Sequence, residues 1–495
     1  MRLCLLFLLS ACALPTEEQS EARPGGGFGD TAAAGAVGDE VPGLGAGAPF
    51  ADWPDTTEGL TNVSADLIEV LERGQLAGAC ERWLASPDDR RLKLLCGKSM
   101  FFYEGFGTLG IPEALLDFMG TEFPDEVGHG FSKLGLIEDP QIPGRALGFG
   151  PGAATEALFG DTPTLAMTCA ACHFGQLPDG RYAVGYPNLQ YRYGTHMLLL
   201  FLAPQVASPL YDPADYHPDA LANVQPVIDK LASNRLLSIR LGIDLLPLLG
   251  ADQPEFGLEA QANHAKWLPG TMDFMIQPLP LEDDVHTVSR IAHLWGMPTA
   301  EEAAGAGMDS ELLAWTGSAE SLDDFLEGFV LVGDGDAHWD TERLSPLAEY
   351  IRSLRPPVPL SVAPADELER GEEVFSGEGC IDCHDGPRGS GRRVFDFAEV
   401  GTDEALRAWA DPDLDGWAPD GTALTHGIKS PRLVGLQTFD RFLHNGSVGS
   451  LEELLCVDGD RPPSAPAPFG NQGHTFGCDL PTADKRALIG YLEAH

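Results

Sequence analysis

A mainly α-helical fold with long loops is the class this sequence predicts, on three observations. Apolar residues recur at helical spacing in several windows, no long alternating strand pattern appears, and 58 Gly with 39 Pro among 495 residues supply wide connections. With 43% hydrophobic side chains, the chain can bury two or three separate cores. Its 31 Lys and Arg against 75 Asp and Glu leave a formal charge of -44. Such a surface repels phosphate backbones and excludes nucleic acid; a cationic protein or a small neutral molecule suits it better.

The first segment is Met1-Arg2, an apolar run from Leu3 to Leu9, and then Ser10-Ala11-Cys12. A positive start, an apolar centre and small residues make an export signal over 1–12. Leu9-Ser10-Ala11-Cys12 resembles the bacterial lipobox, which makes Cys12 a lipid-modified cysteine and places the protein at the periplasmic or outer membrane surface. Residues 13–50, rich in Gly, Ala and Pro, read as a flexible tether. Helical patterns then run over Thr61 to Glu72, Pro112 to Met119, Leu221 to Leu249, Ser310 to Phe329 and Leu344 to Leu354. Met197 to Ala203 and Leu236 to Leu249 are the longest apolar stretches, short of the roughly 18 residues a spanning helix needs. Arg355-Pro356-Pro357-Val358-Pro359 cannot continue a helix, so 355–364 is read as a linker between a domain at 51–354 and one at 365–495. In the second domain, Asp366 to Phe375 sets Gly371 and Phe375 on one helical face. Thr482 reads as the N-cap of a last helix with the stripe Ala487, Leu488, Tyr491, Leu492. Gly97 and Phe101 repeat the Gly371 and Phe375 spacing, a weak internal repeat.

Cysteine spacing carries the chemistry. Cys169-Ala170-Ala171-Cys172-His173 and Cys380-Ile381-Asp382-Cys383-His384 both match C-x-x-C-H, the attachment pattern of haem c. Two thiols add across the two vinyl groups of one porphyrin, and the adjacent imidazole binds the iron. A zinc ribbon or a thioredoxin-like redox pair needs other surroundings, and neither is evident. Two covalently bound haems c are therefore expected, with His173 and His384 on the irons. Beyond these and Cys4 and Cys12, an even set remains in an oxidising compartment: Cys80, Cys96, Cys456 and Cys478. Four cysteines allow three pairings; each pair lies within one segment, so Cys80 with Cys96 and Cys456 with Cys478 are expected.

No methionine follows Cys383, so a Met sixth ligand cannot come from within the C-terminal domain. His426, His444, His474 and His495 are the local alternatives. His474, between Gly473 and Gly477 in a loop that a disulfide would close, is the preferred sixth ligand; His495 is a chain end expected to fray. For the first iron, His129, His196, His264, His286, His293, Met197 and Met297 are all open, and so is an empty position. Trp267 and Trp295 could bridge two haems or be ordinary core. Asp411, Asp413 and Asp415 with Gly416 match the start of an EF-hand loop, but Thr422 stands where the bidentate Glu belongs; calcium is possible against an acidic surface turn.

Phe442-Leu443-His444-Asn445-Gly446-Ser447-Val448, followed by Leu451 to Leu455, resembles the F-x-H-x-G-S-V-x-x-L segment of the bacterial di-haem cytochrome c peroxidase superfamily. Gly470-Asn471-Gln472-Gly473-His474-Thr475-Phe476-Gly477 is most similar to the rubber-oxygenase-like branch. The likeness is close over the C-terminal part; between 174 and 350 no catalytic signature matches residue by residue. It implies two cytochrome c-like haem domains, one haem that relays electrons, one where peroxide or oxygen reacts, an electron-exchanging partner protein, a small-molecule oxidant or organic substrate, and often calcium. It gives His444 a hydrogen-bonding role between haem environments. A peroxidase- or oxygenase-like oxidoreductase is thus expected, the alternative being a pure electron carrier.

Overall fold

The computed structural model describes residues 56–152, 163–196, 268–273, 288–299, 310–332, 339–406 and 427–495, apart from 109, 126 and 466–468, together with positions 218, 222, 225, 229 and 301. The expected signal 1–12, the tether 13–50 and the acidic turn at Asp411 to Asp415 lie outside them. So does the helix expected over Leu221 to Leu249, apart from helical positions 222, 225 and 229.

Helices dominate the described residues. In chain order they are α1 (Leu67–Val70), α2 (Ala79–Ala85), α3 (Arg90–Tyr103), α4 (Glu113–Glu122), α5 (Cys169–His173), α6 (Leu322–Val332), α7 (Thr341–Ser353), α8 (Ala365–Gly377), α9 (Phe397–Val400), α10 (Leu451–Leu454) and α11 (Thr482–Glu493). Asp89 starts α3 by accepting from Leu92 N at 3.0 Å, and Asp340 starts α7 by accepting from Arg343 N at 3.0 Å. Residues 355–364, where the linker is expected, carry neither helix nor strand.

Small antiparallel sheets, which the sequence did not announce, pin the loops. β1 (Val63–Ser64), β6 (Tyr182–Val184) and β5 (Phe174–Gln176) form one; β2 (Ile111–Pro112), β4 (Thr164–Met167) and β3 (Phe149–Pro151) form another. β7 (Thr271–Asp273) pairs with β8 (Val288–Arg290), and β9 (Val394–Phe395) with β10 (Ile428–Lys429). Strands this short hold too few residues for a period of two to show.

Two helical expectations need correction. The pattern over Thr61 to Glu72 folds as β1, one turn of helix, and then Glu72 and Arg73 at φ 54° and 49°. Glu72 turns inward, accepting from Thr61 N at 2.8 Å and from the buried Lys98 Nζ at 2.9 Å, and a continuous helix could not reach both. The pattern from Ser310 to Phe329 becomes helix only at Leu322, because Leu313 bridges Ala319 around a turn at Gly317 with φ 69°.

The packing repeats itself. α3 lies on α7 so closely that a Cβ on Gly97 would stand 2.0 Å from the Pro346 carbonyl oxygen and 2.6 Å from Tyr350 Cβ. α8 lies on α11 in the same way: a Cβ on Gly371 would stand 2.3 Å from the Ala487 carbonyl oxygen and 2.5 Å from Tyr491 Cβ. Phe101 meets Tyr350 edge-on at 5.9 Å, and Phe375 meets Tyr491 at 5.8 Å. Each such buried aromatic contributes on the order of 2 kcal/mol. The internal repeat read from the Gly and Phe spacing is therefore a repeat of helix crossings, each beside one of the two C-x-x-C-H segments: α5 contacts α3, and Cys380 follows α8.

Candidate functional site

The first motif is α5 itself. Thr168 enters it with its hydroxyl on Phe102 O at 3.0 Å, and Asn188 holds its end, with N on Cys172 O at 2.8 Å and Nδ2 on Ala171 O at 3.2 Å. Gly148 backs it at φ 99°, where a Cβ would stand 2.5 Å from Ala171 Cα. Burial pushes the thiols of Cys169 and Cys172 up to about 12 and His173 down to about 4, and His173 Nδ1 is buried with no hydrogen-bond partner.

At the second motif, Cys380, Cys383 and His384 line a pocket walled by Phe375, Phe442 and Leu488, with His474 on its lining as well. His384 Nδ1 and the Gly389 carbonyl are 2.8 Å apart, which fixes the tautomer and leaves Nε2 for another partner. The His384 and His474 rings stand 6.5 Å apart between centroids. Two imidazoles sharing one metal, each bonded at about 2 Å, bring their ring centres to roughly that separation. Burial, then the neighbouring His474, hold His384 down at about 4; burial also lowers His474, whose Nδ1 is buried and unpartnered.

The motif around His444 holds the His474 loop. Asn445 Nδ2 and Ser447 Oγ both donate to Gly470 O at 2.8 Å. Arg461 Nη2 donates to Gly473 O at 2.7 Å and His474 O at 2.9 Å, and His474 N donates to Val400 O at 2.9 Å. Gly473, at φ 96°, presses on Thr402 so closely that a Cβ would stand 2.7 Å from its Cα. His474 itself sits at φ 46°, a conformation a non-glycine residue holds only when its surroundings enforce it. His444 is buried and lines the same pocket, with Nε2 3.4 Å from Asp403 and Nδ1 3.3 Å from Thr402 Oγ1. Burial would raise the Asp403 carboxyl, yet the His444 hydrogen bond and charge hold it below its usual range. Disulfides join Cys80 to Cys96 and Cys456 to Cys478, and Lys485 Nζ clamps the second by donating to Cys456 O at 2.7 Å and Cys478 O at 2.6 Å.

Between the motifs lies a stack of buried rings. Tyr186, Trp295 and His293 each stand 5.4–5.9 Å from the Phe439 ring, and Phe439 lines the second pocket. The backbone links this stack to the first motif: Gly185 N donates to His173 O at 2.8 Å, and Trp295 Nε1 to Val184 O at 2.8 Å.

Among the remaining candidates, His129 is exposed and pairs with Glu138 at 2.8 Å. His293 faces Arg432 O at 3.1 Å and lines the second pocket. His196 is fully buried, with Nδ1 2.6 Å from the Tyr191 hydroxyl and Nε2 without a partner; its ring packs on Phe131 and Phe149 in the cluster that holds Cys172. Met297 is buried in the core. His495 is not frayed: its carbonyl accepts from Gly435 N and its ring meets Tyr491 at 5.0 Å. Met197, His264, Trp267, His286, His426, Asp411, Asp413 and Asp415 lie outside the described residues. No group of three or more His, Cys, Asp or Glu among the described residues could hold a bare metal ion. Sequence reasoning missed the buried cations of the second pocket, Arg290, Lys429 and Arg432, because a lone Arg or Lys in a sequence reads as surface.

No known protein family matches the sequence, and no curated protein matches it. Among solved structures the chain is similar to hydrazine synthase of Kuenenia stuttgartiensis, at 18% identity and a TM-score of 0.27 over 47% of this chain and 78% of that one. It is also similar to a MauG-like protein associated with microbial copper homeostasis, at 17% identity and a TM-score of 0.21, over 34% of this chain and 53% of that one. The chain thus spans about half the length of the latter.

Proposed function

We propose that the chain is an exported di-haem c-type oxidoreductase of the peroxidase or oxygenase kind, with a cytochrome c-like domain on either side of residues 355–364. The observation that carries this is the 6.5 Å separation of the His384 and His474 rings across the apolar pocket that Cys380 and Cys383 border. The residues fit the group. Each buried thiol that adds its S–H across a vinyl becomes a neutral thioether, which suits a site where burial disfavours thiolate. Haem c, when bound, supplies one-electron and oxygen chemistry at its iron.

The residues then divide the work. His384, oriented by Gly389, and His474, set by its loop, would both hold the haem at the second motif, which suits it to holding electrons. His444 positions that loop from Asp403 and Thr402 and does not coordinate. Trp295, Tyr186 and Phe439 supply contiguous rings between the motifs. At the first motif His173 would hold the haem, and His196, whose Nε2 has no hydrogen-bond partner and whose Nδ1 is 2.6 Å from the Tyr191 hydroxyl, would exchange a proton with peroxide, oxygen or an organic substrate. The acidic surface suits a cationic electron-exchange partner. Cys12 as a lipid anchor and calcium at Asp411, Asp413 and Asp415 complete the proposal.

An EPR spectrum of the purified ferric protein tests it. One high-spin and one low-spin signal support an enzyme with one open iron. Two low-spin signals that cyanide leaves unchanged support the electron carrier instead, and absence of covalent haem overturns both.

A further inference from the structure

We infer that Arg290 and Lys429 are the counter-ions of the two propionates of the haem bound at Cys380 to His384, an inference that rests on the function proposed above. Both line the second pocket and are buried, Arg290 at 6% and Lys429 at 7% exposure. Neither has a carboxylate partner among the described residues. Arg290 lies on the faces of Trp315 and Phe439, at 5.4 and 5.5 Å, with Nε and Nη1 buried and unbonded. Lys429 Nζ donates only to neutral oxygens, Ser390 Oγ at 2.7 Å and the Ser430 carbonyl at 3.2 Å. The third cation of the pocket, Arg432, differs: Glu311 neutralises it, and it also donates to the Trp295 and His293 carbonyls.

Two buried, uncompensated positive charges in one pocket are costly unless the occupant is an anion. Burial presses the point, since it pulls Lys429 down to about 8 and Arg290 down to about 10 despite the raising influence of Glu311 on the one and of Tyr186 and the exposed Asp440 on the other. A haem carries two carboxylates on one edge, so its charge matches the pair. The unbonded Nε and Nη1 of Arg290 lie on two edges of the guanidinium, each with a donor free for a carboxylate oxygen, while Lys429 offers a point charge. The same chemistry could serve a free carboxylate or phosphate, and the experiment separates the two.

The test is a spectroelectrochemical titration of the full-length holoprotein over a range of pH, with covalent haem counted by its alkaline pyridine spectrum. In the wild type, propionates held by two cations stay ionised, so the midpoint of the low-spin haem is flat across neutral pH. Arg290→Gln and Lys429→Met each leave a propionate uncompensated. That favours ferric iron, lowers the midpoint, and lets the propionate titrate, so the midpoint falls with rising pH. Arg290→Lys and Lys429→Arg keep the wild-type midpoint. Fully loaded Gln and Met variants with unchanged midpoint and slope overturn the inference. So does a wild-type midpoint that moves with added acetate or phosphate, which marks a free anion as the occupant. If the neutral variants do not accumulate, a neutral-pH step in the wild type still overturns it. A wild type without haem at Cys383 overturns the proposed function itself.

Discussion

Gly371 and Tyr491 touch where α8 crosses α11, and no side chain larger than hydrogen fits at Gly371: a Cβ there would stand 2.5 Å from Tyr491 Cβ and 2.3 Å from the Ala487 carbonyl. Gly97 and Tyr350 stand in the same relation where α3 crosses α7. Each crossing sits beside one C-x-x-C-H segment.

Gly371→Ala and Gly97→Ala should each destabilise the fold by about 3 kcal/mol, since backbone rather than a flexible side chain must yield. Gly120→Ala is the control. That residue lies in α4 with open space at its Cβ position, so Ala should stabilise by up to about 1 kcal/mol. Urea midpoints at unchanged slope measure all three.

Cys172→Ser and Cys383→Ser should each leave roughly half the covalent haem on denaturing electrophoresis, because each breaks one of two attachment sites. An unchanged haem-to-protein ratio in either would remove that motif from the assignment.

His474→Ala should convert one haem from low to high spin with both still attached, and no sulfur-to-iron band should be present in the wild type. His444→Ala should perturb the same spectrum less, because it loosens the loop without removing a ligand. Replacing Cys456 and Cys478 together by Ser should cost about 2–4 kcal/mol and make the low-spin signal easier to lose on warming. A low-spin spectrum intact in His474→Ala and lost in His444→Ala assigns the ligand to the other histidine.

The buried Lys98 gives a pH signature. Burial, only partly offset by Glu72, lowers it from 10.5 to about 8 in the folded chain, so between those values the unfolded chain binds more protons. Stability contributed by this group therefore rises with pH across that window, by on the order of 3 kcal/mol. Lys98→Met should abolish that rise while costing about 3 kcal/mol at neutral pH, because the buried Glu72 loses its close cation and keeps only Arg91, at 4.0 Å, as a charged partner. Guanidinium unfolding of both proteins from pH 7 to 10 measures the difference.

Local patterns were legible in the sequence. C-x-x-C-H needs only five residues, and the Gly and Phe spacing that lets two helices cross is set within one turn. The helices at Leu344, Asp366 and Thr482 announced themselves because one apolar face repeats along each. What depends on residues far apart was not legible. That His474 rather than His444 faces His384 follows from Asp403 and Thr402 engaging His444 while Asn445, Ser447 and Arg461 fix the other loop. That Glu72 breaks its helix follows from Lys98, and that Arg290 and Lys429 are interior cations follows from β8 and β10 bringing them to one pocket. A sequence records which charges and rings a chain owns; only the packed chain decides which of them water no longer reaches, because burial depends on residues far apart in the chain.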